Sequence, residues 1–211
     1  MLASLGGTPV IEWVIRRTLR IRELDEIIFA TSQLPADDEL VRVADRYGVK
    51  VFRGSHEDVL KRVLDAATPY KPDGILRICA DNPFIDPDVV SQLVASFRTN
   101  WCDYAFNHRP GLGLLVADGF GGEMFDVTTL RSISVRFSEL RYREHLTSPF
   151  WEHQELFSIR AVPVDEILRR PELRFDVDTE SDLRYLTSIL DAGAISLDSS
   201  AADVVKAADA I

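Results

Sequence analysis

Through its first hundred residues this chain alternates short, almost wholly apolar segments with amphipathic stretches, and few folds accept that alternation. Ile27-Ile28-Phe29-Ala30-Thr31, Val49 to Phe52 and Ile75 to Ala80 are apolar along nearly their whole length. That is the pattern of strands covered on both faces. Between them, helices are predicted over 37–47, ended by Gly48, over 57–67, and over 87–97 with Asp86 as cap. Upstream, Val10, Ile11, Val14, Ile15 and Leu19 fall on one helical face with Arg16, Arg17 and Arg20 off it. Thr8 reads as the cap of that helix and Pro9 as its first residue. The expected class is α/β: a mostly parallel sheet with helices on both faces.

Beyond residue 103 the order loosens. Strands are predicted over 103–107, 157–164 and 173–177, with a glycine-rich stretch from Pro110 to Gly122 between the first two. A helix is predicted over 179–190 and a terminal one over 199–211. No repeat, low-complexity run or linker divides the chain, so a single domain over 1–211 is expected. The opening is unusual. Only Met1 to Thr8 precede the first helix, and a βα unit needs a strand there. Either that helix packs without a partner strand, or a strand belongs upstream of it.

The formal net charge is −10, which disfavours nucleic acid and anionic lipid as partners. A small anionic substrate stays possible, because a bound cation reverses the local sign. No apolar run approaches a membrane span, and the first residues lack the pattern of a signal peptide. Cys79 and Cys102 are the only cysteines; they make no disulfide framework, and a cytoplasmic location is expected.

Asp81 directly follows the strand Ile75 to Ala80, at the end where open α/β sheets bind their ligands. It is a functional acid, or it shapes the Asp81-Asn82-Pro83 turn. Asp176 and Asp178 stand two apart in a predicted strand and so face one way. Two aligned carboxylates in a partly apolar segment call for a cation or hydrogen-bond donors, although Asp178 or Thr179 also suits the cap of the following helix. If Asp81 and Asp178 converge, Mg²⁺ is the fitting ion, since it accepts one or two carboxylates plus water and phosphate oxygens. Such an ion stabilises charge on a departing pyrophosphate. The glycines of the middle loop allow backbone to approach a ligand, or make an ordinary surface loop. Tyr142 to His145 reads as a solvated helix face. His56, His108 and His153 show no ligand spacing, and no zinc, triad or dinucleotide pattern is present.

An ordered set of short segments carries a family resemblance. It comprises Leu5 to Glu12, Ala30-Thr31-Ser32, Asp37-Asp38, Tyr47 to Ser55 and Asp58 to Arg62. It continues through Arg77 to Pro87, Asp118-Gly119 with Glu123 and Phe125, Arg143 to Thr147, and Asp176 to Thr179 with Asp182-Leu183. The chain resembles the cytidylyltransferase-like proteins of spore coat polysaccharide biosynthesis, relatives of 3-deoxy-manno-octulosonate and acylneuraminate cytidylyltransferases. The resemblance implies a nucleotide-diphospho-sugar transferase-like fold, Mg²⁺ dependence, a homodimer, and CTP or another NTP with a sugar or sugar acid as substrates. By position it implies Asp81 and Asp178 as catalytic metal ligands with Asp176 beside them, and Arg62 near the nucleotide. Glu123, Arg143 and His145 would lie on the sugar side.

Members of that family begin with a strand and a loop of the type G-S-x-R-L-P-G-K that grips the triphosphate. Met1 falls just after the place where that loop would end, so the resemblance implies that the first strand and phosphate loop are absent from residues 1–211, through a mis-called start or a genuine loss. Little or no transferase activity is expected from those residues alone. The rival readings are a non-catalytic nucleotide- or sugar-binding module and a glycosyltransferase using Asp176-Val177-Asp178 as its metal motif.

Overall fold

The apolar segments of the N-terminal half become strands with only small shifts at their ends. In the computed structural model, which describes residues 1–211, the chain opens with a hairpin of β1 (Ser4–Leu5) and β2 (Thr8–Pro9). There follow α1 (Val10–Thr18), β3 (Ile28–Ser32), α2 (Asp38–Arg46), β4 (Lys50–Gly54), α3 (Val59–Ala67), β5 (Gly74–Arg77) and α4 (Pro87–Thr99). The second half adds β6 (Tyr104–Phe106), β7 (Glu123–Asp126), α5 (Val127–Arg136), α6 (Leu140–Glu144) and α7 (Ser148–Glu152). It closes with β8 (Ile159–Ala161), α8 (Glu180–Gly193) and α9 (Ala201–Ala208). No helix is long and apolar enough to cross a membrane.

Three expectations are corrected. Thr8 and Pro9 do not begin α1, because Gly6 and Gly7 take φ of 58° and 83° and turn the chain back, pairing Ser4 with Pro9. Positive φ at both turn residues is what a tight hairpin demands and what glycine supplies without steric cost. Residues 173–177 form no strand; a single bridge, Asp118 to Arg174, is all the sheet pairing they make. Finally, β7 lies just past the glycine-rich stretch, where no strand is predicted.

β3 and β4 pair in parallel, as the βα pattern requires. A second sheet has the order β5-β7-β6-β8, with β6 and β8 parallel and β7 antiparallel to both β5 and β6. Side chains alternate across it. Leu76, Ala105 and Met124 face one way, onto Val90, Leu93, Val94 and Phe97 of α4. Ile75, Tyr104, Phe106 and Phe125 face the other, into a larger core with Leu130, Phe150, Leu186 and Ile189. Tyr104 stacks on Phe150 and Phe125 at ring-centroid distances of 4.7 and 5.2 Å. Ile11 and Ile15 of α1 and Val43 of α2 make a third cluster with Val49. Helices thus cover both faces, and β3 and β5 end at one rim.

Candidate functional site

The turn after β5 is tied by backbone bonds, Asn82 N–H to Cys79 O at 3.3 Å and Ile85 N–H to Asn82 O at 3.2 Å. Capping of α4 falls to Asp86, which accepts from the N–H groups of Asp88 and Val89 at 2.8 and 3.2 Å. Asp81 therefore has no capping duty.

The second acidic segment comes to it directly. Val177 N–H donates to Asp81 O at 2.9 Å, and Phe175 N–H donates to Asp118 O at 3.0 Å. Asp81, Asp118, Asp176 and Asp178 are thereby gathered at one rim. The cap of α8 is Thr179, whose hydroxyl accepts from Asp182 N–H at 3.3 Å while the Asp182 carboxylate accepts from Thr179 N–H at 2.7 Å. That leaves Asp178 outside the cap and settles the alternative left open by the sequence. Arg174 faces both acids, with Nε 3.0 Å from Asp176 Oδ1 and Nη2 3.2 Å from Asp178.

Electrostatics mark the site as short of positive charge. Burial raises the Asp81 carboxyl above its ordinary value, and Asp176 and Asp178 raise it further. Asp118 is pushed up to about 6, by burial first and then by Asp176. Oxygen-only donors crowded in this way have the chemistry that hard divalent cations select. No three His, Cys, Asp or Glu side chains form a ready-made ligand set, so such an ion would need oxygens from water or substrate as well.

A cleft of about 300 Å³ opens beside Asp81, lined among others by Thr31, Asp37, His56 and Arg62. Asp37 is fixed in it by Thr31 Oγ1 at 2.7 Å and Ser32 N–H at 3.0 Å. Arg62 reaches it from α3, donating from Nη1 to Ser55 O at 2.6 Å, while its buried Nε has no partner. Another hollow, about 380 Å³, lies at the opposite end of β5 between Asp73, Trp101 and Asp126. It holds none of the acidic cluster, and its position at the start of a strand is the wrong end for ligand binding in such sheets.

Glu123 lies deeper, 2% exposed, opposite Arg77 in the β5–β7 register. Arg77 Nη1 and Tyr104 Oη donate to it, each at 2.6 Å, and His108 Nε2 stands 3.7 Å away. Burial alone would raise its carboxyl, but His108, Arg77 and Tyr104 together hold it below the ordinary value. Burial pushes His108 down, and its Nδ1 has no partner. Burial likewise drives the Cys79 thiol up to about 12, so it is no nucleophile. Arg143 is elsewhere, bonded to Ser134 O at 2.7 Å and paired with Asp58 at 3.7 Å. His145 is exposed at the end of α6. No hydrogen bond or ion pair joins either residue to Glu123.

Sequence reasoning named Asp81, Asp176, Asp178, Arg62 and Glu123, but it did not set Asp118 beside the acids or Arg77, Tyr104 and His108 beside Glu123. Asp118 had one readable signal, the adjoining Gly119. At φ 111° that glycine packs so close that a Cβ would stand 3.1 Å from the Phe175 backbone.

Known proteins agree with this architecture. Over 87% of its length the chain is 32% identical to an uncharacterized protein of Methanocaldococcus jannaschii, of which it covers 73%. It is 27% identical to the spore coat polysaccharide biosynthesis protein SpsF of Bacillus subtilis, over 97% of this chain and 85% of that one. Among solved structures, a cytidylyltransferase from Leptospira borgpetersenii superimposes with a TM-score of 0.88 at 26% identity, over 97% of this chain and 84% of the other. The CMP:2-keto-3-deoxy-manno-octonic acid synthetase solved with CTP shares the fold, at a TM-score of 0.67 and 16% identity over 90% of each chain. The cytidylyltransferase family model matches residues 1–189, and the chain belongs to that family.

Proposed function

We propose that this chain transfers a cytidylyl group from CTP to a sugar or sugar acid destined for polysaccharide, with release of pyrophosphate. A sugar hydroxyl oxygen attacks the α-phosphorus, its proton passing to solvent, and the bond from that phosphorus to the pyrophosphate oxygen breaks. Catalysis of such a step is mainly alignment and charge stabilisation. One observation carries the reading: the bond from Val177 N–H to Asp81 O, which brings two acidic segments distant in sequence to one strand end beside the cleft.

In this reading Asp81 and Asp178 hold Mg²⁺, with Asp176 beside them, and the oxygen donor set suits that ion. When bound, the ion neutralises the triphosphate and stabilises the departing pyrophosphate. Arg62 faces the nucleotide from α3, and the buried Glu123 cluster supports the sugar side. Arg143 and His145, which the resemblance would also put on the sugar side, have no bond to that cluster. A cytoplasmic homodimer is the expected form.

The test is pyrophosphate release from each of the four NTPs over a panel of sugars and sugar acids with Mg²⁺. It is run on residues 1–211 and on any longer product of the same reading frame. Consumption of CTP with an acid sugar by at least one of these proteins, lost in its Asp81→Asn variant, is the expected result. Binding of CTP without turnover by any of these proteins would replace the enzyme with a binding module. Transfer of sugar from a preformed nucleotide sugar would replace it with a glycosyltransferase.

A further inference from the structure

Arg17 and Asp86 are charged, buried and outside the acidic site. Arg17 of α1 is 0% exposed, and its three nitrogens all donate to backbone: Nε to Ile85 O at 2.6 Å, Nη1 to Leu197 O at 2.8 Å and Nη2 to Ser199 O at 2.9 Å. Asp86 is 5% exposed. Besides capping α4 through Oδ1, it accepts through Oδ2 from the N–H of Ala201, the first residue of α9, at 2.6 Å. One carboxylate thus serves two helix N-termini, where unpaired N–H groups favour an anion. The Arg17 guanidinium supplies the nearby countercharge.

The turn from Asp81 to Asp86 runs up to these two residues. It is held at Asp81 by Val177 and at Asp86 by its own N–H on Phe120 O at 2.8 Å. Phe84 packs edge-on against Trp13 and Phe175 at 5.8 and 6.3 Å. The remaining ties, through Ile85 O and the Asp86 carboxylate, both lead to residues 197–201. That segment lies past residue 189, where the family match ends.

We propose that Arg17 and Asp86 are positioning residues for the Asp81 carboxylate, and that residues 197–201 are the splint through which both act. The entry into α9 is then part of what holds the acidic turn against Asp176 and Asp178. Only the effect on turnover rests on the transferase reading; the mechanical coupling stands without it.

Two variants test this in the full chain. Ala201→Pro removes the N–H that Asp86 Oδ2 accepts. Proline suits the first helical position, and Ser200, at φ −75° and ψ 163°, already has the backbone a following proline requires. Arg17→Lys keeps the charge but offers one nitrogen in place of the three that reach Ile85, Leu197 and Ser199. Amide hydrogen exchange is followed at Asn82, Ile85 and Val177, with Ala105 and Met124 in the β6–β7 ladder as reference. Both variants are expected to speed exchange at the turn by about fivefold over the reference, the scale of one buried hydrogen bond. The Mg²⁺ concentration for half-maximal pyrophosphate release should rise by a similar factor, with kcat at saturating Mg²⁺ kept within about twofold. Exchange unchanged at the turn, or quickened equally at the reference amides, overturns the proposal. If one variant does not fold, the other decides. Should the native chain release no pyrophosphate, exchange still decides the coupling, and only the transferase reading falls.

Discussion

Glu123 lies buried in β7 and Asp81 half-buried in the turn that follows the neighbouring β5, and their surroundings treat them in opposite ways. Glu123 meets a guanidinium and a phenol at hydrogen-bond distance with an imidazole close by, and its carboxyl is held below the ordinary value. Asp81 has Asp176 and Asp178 as charged neighbours, and its carboxyl is raised, by burial first and then by those two acids. A buried carboxylate supplied with donors is part of the fold, while one surrounded by its own kind is strained until a cation arrives. The contrast sets an acid satisfied within the fold apart from one that the proposal assigns to a cation, without reference to any relative.

Substituting each acid by its amide tests that separation, and the largest effect is expected at Asp81. Asp81→Asn should cut pyrophosphate release by about 10³-fold, the several kcal/mol attributed to a metal-assisted phosphoryl step. Its urea midpoint should stay level or rise, because a like charge has gone. A variant that loses stability in step with activity would make Asp81 a second structural acid.

Glu123→Gln should do the reverse. Removing the carboxylate strands Arg77 and disrupts the Tyr104 hydrogen bond in the core, so a loss of about 3 kcal/mol in urea unfolding is expected, at the low end for broken buried pairs because Arg77 keeps some contact with water. Activity per folded molecule should fall far less than in Asp81→Asn. Equal losses of activity from the two changes would erase the distinction.

Asp118 gives a smaller, pH-dependent effect. Its folded value of about 6 lies above the ordinary aspartate value, so the folded chain binds this proton more tightly than the unfolded chain does. The stabilisation it contributes is complete below about pH 4 and is lost as pH rises toward 6. With water screening in a half-open site, the difference between native and Asp118→Asn should amount to about 1–2 kcal/mol across that window. Urea midpoints at pH 4 and pH 7 measure it. A difference of opposite sign would mean that Asp118 is paired after all.

These two regions were not equally legible in the sequence. Asp81 could be read because a mostly apolar strand points at it, and Asp86 before Pro87 already marks the helix start. Asp178 stayed ambiguous against Thr179, since a capping box depends on which residue leaves helical geometry, and both types suit the role. The Glu123 cluster was beyond reach for another reason. Arg77 and Glu123 meet through an antiparallel register set by β7, a four-residue strand lacking any long alternating pattern. The hairpin at Thr8-Pro9 was missed because Thr-Pro before an apolar periodic stretch is an equally good helix start, and only the pairing across Gly6-Gly7 decides against it. Local pattern gave the βα units; pairing between distant segments gave the environment of the acids.

The finest test compares the two arginines. Arg77 and Arg174 each face carboxylates, but the Arg77 side chain is 32% exposed against an acid that is 3% exposed, whereas Arg174 is 63% exposed. An exposed pair is worth less than about 1 kcal/mol, because water and side-chain entropy offset the attraction. Arg174→Ala should therefore leave the urea midpoint almost unmoved, where Arg77→Ala lowers it well beyond that. Arg174 also occupies the acids that a divalent ion would need, so its removal deletes a competing cation. Binding of Mn²⁺, followed by water-proton relaxation, should tighten by about threefold in Arg174→Ala, given an exposed competitor worth under 1 kcal/mol. Weaker binding would show that Arg174 holds Asp176 and Asp178 in place for the ion, which would make it a structural partner like Arg77.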